Sequence, residues 1–399
     1  MRILNVAQTY FPYLAEGGRP AKVRALSRKL VARGHAVTVL TANLGPSEWF
    51  DRAFLCHETA MGIECTDDGV EAIYLPSLAR YRVITLNANV IRFCRADLAG
   101  FDLVHFYGIY DLLGPIVSYF CRRKGIPYVI EPMGMYRPID RNVHVKKFWH
   151  HTLGRTFWRD AAQIIATSEL EQQELAQDGV PQKKIAMRYN GIDCEPDGPV
   201  PARGGFRSKW GISAEEPLIL FLSRLIPRKG AEPLIEAFAQ AFPASGRLVI
   251  AGPEGELGYR AQLEKCAQSS GVADRVIFTG PLYFEEKKLV LADADIFAIP
   301  SRYENFANVA AEAMACGIPV IVTPFCGIRS LVDGRAGLVI NPEKEQLAAA
   351  LRLLFDDKLL YARLKQGCRE ITLQLSWDHL TEQMECYYKG VLAQNSGLR

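Results

Sequence analysis

The chain lacks several features that would assign it early. No stretch approaches the ~20 consecutive apolar residues of a membrane span. The start, Met1-Arg2-Ile3-Leu4-Asn5-Val6-Ala7-Gln8, is too short an apolar run for a signal peptide. The ten cysteines (56, 65, 94, 121, 194, 266, 316, 326, 368 and 386) are scattered, with no pair at the close spacing of a zinc site. A disulfide scaffold is not expected in a chain of 399 residues, so reduced thiols and a cytoplasmic location are the expectation. A net charge of +3 is too small to argue for nucleic acid as a partner. Neither Gly-x-Gly-x-x-Gly nor the P-loop Gly-x4-Gly-Lys occurs, which counts against a dinucleotide oxidoreductase. Sequence repeats and low-complexity segments are also absent.

What is present is an ordinary folding composition, 49% hydrophobic and 23% charged, long enough for two or three domains. Short apolar runs alternate with amphipathic segments throughout. Residues 3–8, 37–41, 103–106, 128–130 and 164–166 form one set of buried parallel strand candidates. A second set is 218–222, 248–251, 276–279, 296–298 and 320–322. Such alternation implies βα units and an α/β fold of two Rossmann-like, doubly wound domains. Domains are expected at 1–194 and 218–375, joined by a Pro- and Gly-rich linker at 195–217, with a final helix at 376–399 returning to the first domain. Ligands of open α/β sheets bind beyond the strand C-termini, so the sites are sought there, in a cleft faced by both domains.

The most informative stretch is Ser301-Arg302-Tyr303-Glu304-Asn305-Phe306-Ala307-Asn308-Val309-Ala310-Ala311-Glu312-Ala313-Met314-Ala315-Cys316-Gly317-Ile318-Pro319-Val320. Glu304 lies in a polar loop after a strand. Glu312 lies in an Ala-rich helix that stops at Gly317 and Pro319. A strand–loop–helix turn presents open N–H groups to an anion such as a diphosphate. The two carboxylates can accept hydrogen bonds from sugar and ribose hydroxyls. Upstream, Leu222-Ser223-Arg224-Leu225-Ile226-Pro227-Arg228-Lys229-Gly230 follows the first strand of the second set. Arg224 and Lys229 could grip one diphosphate, the first as a planar fork and the second as a point charge. In the first domain, adjacent Gly17 and Gly18 follow the first strand, and Asp102-Leu103-Val104-His105-Phe106-Tyr107-Gly108 ends another. Strand alternation sends His105 and Tyr107 to the same face.

Together these segments resemble the retaining, nucleotide-sugar-dependent glycosyltransferases of family 4, which have the GT-B fold. The resemblance covers nearly the whole chain and is most specific at 218–323. It implies that Glu304 binds the donor sugar, Glu312 the ribose, and Arg224 and Lys229 the diphosphate. Asn305, Phe306, Ala307 and Asn308 complete that loop, with Ala307 where the family usually has Gly. Gly17, Gly18, His105 and Tyr107 fall where the family contacts the donor, Tyr107 replacing a histidine. For His105 the preferred reading is a buried structural residue. Asn190-Gly191-Ile192-Asp193 resembles the family's turn that closes the first domain, read as a tight turn with Gly191 at positive φ. Asp293-Ala294-Asp295 spells a metal-binding Asp-x-Asp but precedes a strand, so a structural role is expected, with no metal and no cofactor beyond the nucleotide sugar.

Two segments are basic. Residues 19–33 carry six Lys/Arg and no acid; 137–159 carry six more, interleaved with Phe148, Trp149, Phe157 and Trp158. These faces are either solvated or lie on an anionic membrane, where a peripheral enzyme would meet a lipid-linked acceptor. The implied activity is transfer of a hexose-type sugar from a UDP- or GDP-linked donor to a saccharide or lipid-linked hydroxyl, as in polysaccharide or cell-envelope synthesis. The alternatives are a sugar-nucleotide epimerase of the same fold and a non-catalytic nucleotide-sugar binder.

Overall fold

The computed structural model describes residues 1–14, 18–45, 55–81, 84–137, 143–192 and 201–396. The chain forms two compact units, Met1–Gly191 with Trp377–Arg399, and Ile192–Ser376.

The first unit is built on strands β1 (Arg2–Ala7), β2 (Ala36–Ala42), β3 (Leu55–Glu58), β4 (Ile63–Asp67), β5 (Val70–Leu75), β6 (Ala79–Tyr81), β7 (Ile84–Leu86), β8 (Leu103–Tyr107), β9 (Tyr128–Glu131), β10 (Gln163–Ala166) and β11 (Ile185–Met187). Nine of them form one sheet in the order β11-β10-β9-β8-β1-β2-β5-β4-β3, all parallel except β4, which runs antiparallel to both β5 and β3; β6 and β7 pair separately. Helices on both faces explain why the parallel strands are near-continuously apolar. Along β1, Ile3 and Ala7 join one core and Leu4 and Val6 the other. The C-terminal helix Trp377–Ser396 packs on the first of these, with Trp377, Met384, Tyr388 and Val391 buried beside Val23, Leu26 and Leu30 of the helix Arg19–Ala32.

Two expectations need correction here. Cys56 and Cys65 stand opposite each other in the β3–β4 register and form a disulfide; the seven other described cysteines are free. Gly191 does not have positive φ. Its lack of a side chain matters for another reason: a Cβ there would lie 2.3 Å from the Trp377 ring.

The second unit has strands β12 (Leu218–Leu222), β13 (Arg247–Ala251), β14 (Val276–Gly280), β15 (Ile296–Ile299), β16 (Val320–Val322) and β17 (Gly337–Val339). All are parallel, in the order β14-β13-β12-β15-β16-β17. The chain winds outward from β12 to β14, then returns to β12's other side and winds outward again. Loops leaving β12 and β15 therefore diverge from a topological switch point. Residues 205–217, expected as linker, belong to this unit. The helix Gly205–Trp210 packs on Phe284–Asp293, and buried Arg207 is held by the carbonyls of Ser213 and Glu216 and by Asp295.

Candidate functional site

In the second unit, the switch point joins the two halves of the expected donor site. After β12 the loop runs through a 3₁₀ turn, Pro227–Lys229, to Gly230, which caps the helix Ala231–Ala241 at φ 78°. Any Cβ on Gly230 would sit 2.3 Å from the Pro300 carbonyl oxygen, so only glycine lets the two loops touch. They are then laced together: Arg302 N–H donates to the Arg228 carbonyl at 2.8 Å, and the Ser301 hydroxyl donates to the same carbonyl at 3.2 Å. Glu304 is clamped through its backbone, its N–H donating to the Phe325 carbonyl at 3.0 Å and its carbonyl accepting from Gly327 N–H at 2.9 Å.

This scaffold sets the Lys229 ammonium against the Glu304 carboxylate in an ion pair whose side chains are only 8% and 22% exposed. Arg224 lies exposed on the same loop. Four residues past Glu304 the helix Asn308–Ala315 begins, preceded by Ala307 in the left-handed region (φ 80°, ψ 61°). That conformation disfavours a side chain by roughly 1–2 kcal/mol, and alanine is the smallest chiral residue to bear it. Phe306 and Ala307 are buried, whereas Asn305 and Asn308 are half-buried. Glu312, one helical turn on, forms a second ion pair, 2.5 Å from Lys287 of the helix Phe284–Asp293. Lys287 had no distinguishing mark in the sequence, since Glu285-Glu286-Lys287-Lys288 looks like a solvated face.

The Asp-x-Asp pair is occupied by protein donors. Asp293 accepts from the backbone N–H groups of Gly204 and Arg207, and Asp295 from Leu218 N–H and the Arg203 and Arg207 guanidinium groups.

In the first unit, the expected donor contacts are found inside. His105 and Tyr107 are 0% and 1% exposed and stack with ring centroids 4.0 Å apart. Neither side chain is presented on the surface of its unit. His105 instead belongs to a buried charge cluster that charge alone did not flag. Glu131, at the end of β9, takes the Lys22 ammonium on one oxygen and the Arg188 guanidinium on the other at 2.6 Å, with His105 Nε2 3.8 Å away. Lys22 also donates to the Asn190 side chain, and His105 Nδ1 bonds the Tyr388 hydroxyl at 2.7 Å. The Arg188 guanidinium lies 5.8 Å above the Trp377 ring. Gly18 precedes the helix that carries Lys22 and has ordinary negative φ; Gly17 and Asp193 lie outside the described residues.

The basic helix Arg19–Ala32 is not a free cationic face. Besides Lys22, Arg24 pairs with Asp67, Arg28 with Asp68 and Lys29 with Asp378, and just beyond the helix Arg33 pairs with Glu385. In the second basic segment, Phe157 and Trp158 are core, but Phe148 and Val145 of the helix Val143–His151 are 70% and 66% exposed.

Burial pushes His105 down to about 3 from 6.5, and the Lys22 and Arg188 charges hold Glu131 down to about 2 from 4.5 despite its burial. In both windows the unfolded chain binds a proton that the folded chain does not, so acid destabilises the first unit. Its melting temperature should fall as pH is lowered from 6.5, and fall further below 4.5. His105→Asn should flatten the slope between pH 6.5 and 4.5 and make the fall below 4.5 shallower, the Glu131 contribution remaining.

Comparisons with known proteins agree with this fold. Residues 203–371 match the family described as glycosyl transferases group 1, and residues 17–191 match the glycosyl transferase 4-like domain. An uncharacterized glycosyltransferase of Methanocaldococcus jannaschii is 25% identical over 98% of both chains. Among solved structures, sucrose-phosphate synthase from Thermosynechococcus elongatus superposes with a TM-score of 0.76 at 22% identity, covering 99% of this chain and 100% of that one. HepE of Anabaena, solved in complex with UDP and glucose, gives a TM-score of 0.76 at 21% identity, covering 98% and 100%. At those identities the structures speak for the fold.

Proposed function

Because the chain belongs to the GT-B glycosyltransferases, we propose that its second unit binds a UDP- or GDP-linked sugar. The enzyme then passes a hexose-type sugar to a hydroxyl acceptor with retention of configuration, as in family 4. The Lys229–Glu304 pair carries this reading. Two opposite charges are held together at the one place in the sheet where a ligand can enter between diverging loops. A diphosphate would draw on the Lys229 ammonium, the Arg224 guanidinium and the N–H groups at Ala307 and Asn308. Glu304 would then be free to accept hydrogen bonds from the sugar hydroxyls, and Glu312 from the ribose.

As the glycosidic bond breaks, negative charge grows on the leaving diphosphate. Preorganised cations and N–H dipoles stabilise that charge more than the ground state, which is what lowers the barrier. The acceptor hydroxyl attacks on the face the diphosphate is leaving, and a phosphate oxygen takes its proton. Glu304 positions and stabilises. With two cations and a helix N-terminus neutralising the leaving group, the reaction is proposed to run without a metal. The HepE complex with UDP and glucose favours UDP as the first donor base to try.

Thermal shift against UDP, GDP and ADP, followed by product analysis with UDP-sugars and saccharide acceptors, tests the reading. Lys229→Ala and Glu304→Gln should each lower kcat by on the order of 10²–10³ with the fold retained by circular dichroism. Turnover without acceptor would instead indicate an epimerase. Nucleotide binding with neither transfer nor hydrolysis would indicate a binding protein.

For the acceptor, we propose a lipid-linked saccharide met at an anionic membrane surface. The support is the helix Val143–His151, which buries none of its residues and exposes Val145 and Phe148 beside Lys146 and Lys147. No helix among the described residues is long and apolar enough to cross a membrane. The protein should float with phosphatidylglycerol liposomes, weaken at high salt, and lose binding in Phe148→Ser; absence of salt-sensitive binding would end this part.

A further inference from the structure

We infer that Lys287 is a positioning residue for nucleotide recognition: it captures one oxygen of Glu312 and leaves the other to select ribose over deoxyribose. The inference rests on the reading of Glu312 as the ribose contact.

Three observations carry it. First, the Lys287 ammonium lies 2.5 Å from Glu312 Oε2, and the two side chains are 29% and 34% exposed. This is not the fully solvated geometry in which ion pairs count for nothing. Second, Oε2 itself is shut off from solvent and makes no hydrogen bond, so the Lys287 ammonium is its counter-charge by proximity alone, although a third of the Glu312 side chain is open. The accessible part of the side chain therefore excludes Oε2, and Oε1 is the oxygen left for a hydroxyl. Third, the two residues come from different connections. Glu312 sits on Asn308–Ala315, which leaves the Glu304 loop, and Lys287 on Phe284–Asp293, which follows β14. That second helix is itself fixed, packed against β12 and against Gly205–Trp210. The pair is thus a cross-brace between two helices, not an i,i+4 contact within one.

A glutamate alone on a helix surface samples many rotamers, and ordering it on ligand binding costs affinity. A fixed ammonium on one oxygen removes most of that cost beforehand. It also settles which oxygen remains to accept a hydroxyl. A carboxylate whose free oxygen faces the ribose rewards a 2′- or 3′-hydroxyl and gains nothing from a deoxyribose. Lys287 would act through Glu312 and not on phosphate.

Isothermal titration of the full chain with UDP and 2′-deoxy-UDP, and in parallel with GDP and 2′-deoxy-GDP, tests this. The same titrations are made on Lys287→Met, Lys287→Arg and Glu312→Gln, with melting temperature as a check on folding. The wild type should prefer the ribonucleotide by about tenfold, the worth of one charged hydrogen bond. Lys287→Met should shrink that preference several-fold by weakening the ribonucleotide alone, and Lys287→Arg should restore it. Two results overturn the inference while leaving Glu312 at the ribose. In one, Glu312→Gln collapses the preference but Lys287→Met leaves it unchanged. In the other, Lys287→Met weakens ribo- and deoxyribonucleotide equally, which would assign Lys287 to the phosphates or to stability. If the wild type shows no preference, or binds neither nucleotide, the ribose reading of Glu312 fails and the inference falls with it.

Discussion

The contact between Lys229 and Glu304 is the interaction on which the chemistry proposed for the second unit rests, and it follows from a constraint of winding. Strands β12 and β15 are neighbours although two strands separate them in the chain. Their loops must leave in opposite directions, and it is there that ligands of open α/β sheets bind. Gly230 lets the backbones meet at Pro300, and the Arg228 carbonyl ties the loops together through Arg302 and Ser301. What remains is a mostly buried ammonium beside a mostly buried carboxylate. Such a pair is costly to desolvate and adds little to stability for its expense. Its retention makes sense where a diphosphate and a sugar are to replace each partner's counter-charge.

The first unit solves a different electrostatic problem. Lys22, Arg188, His105 and Glu131 arise on a helix, a post-strand loop and two strands, yet share one buried cluster. The helix Trp377–Ser396 closes it with Tyr388 and Trp377. Gly191 is part of the same fit, because a larger residue would strike the indole. The last helix of the chain is thereby built into the charge balance of the first unit, in addition to its apolar packing. Removing one partner from such a cluster leaves a buried charge exposed to low dielectric, typically a loss of about 3–5 kcal/mol.

Much of this was legible in the residues, and the rest failed for identifiable reasons. β1, β2, β8, β9, β10 and β12–β16 are short and mostly apolar, as buried parallel strands are. Glu304, Lys229 and Glu312 stood out because carboxylate and cation spacing matched a strand–loop–helix turn. β3–β5 are alternating or mixed runs, with β4 antiparallel to both others, and were not among the strand candidates. Without that hairpin, Cys56 and Cys65 gave no hint of being cross-strand neighbours. The helix Lys358–Gln374 was hidden by Gly367, a helix-weakening residue tolerated because a Cβ there would lie 1.9 Å from the Arg335 carbonyl oxygen. Lys287 was indistinguishable from its solvated neighbours, and burial of charges such as Glu131 and Arg188 cannot be foreseen before their partners are known. The basic helix misled in the opposite way: its cations pair with acids far away in sequence.

The most direct test of the account is a crystal structure of the chain with UDP, or with GDP if that binds more tightly. The prediction is that diphosphate oxygens lie within about 3 Å of Lys229 Nζ and of the N–H groups at Ala307 and Asn308, with Arg224 folded onto them. The Lys229–Glu304 contact should be loosened and the ribose hydroxyls turned toward Glu312. A nucleotide seated elsewhere, with that ion pair intact and the Ala307 turn empty, would contradict it.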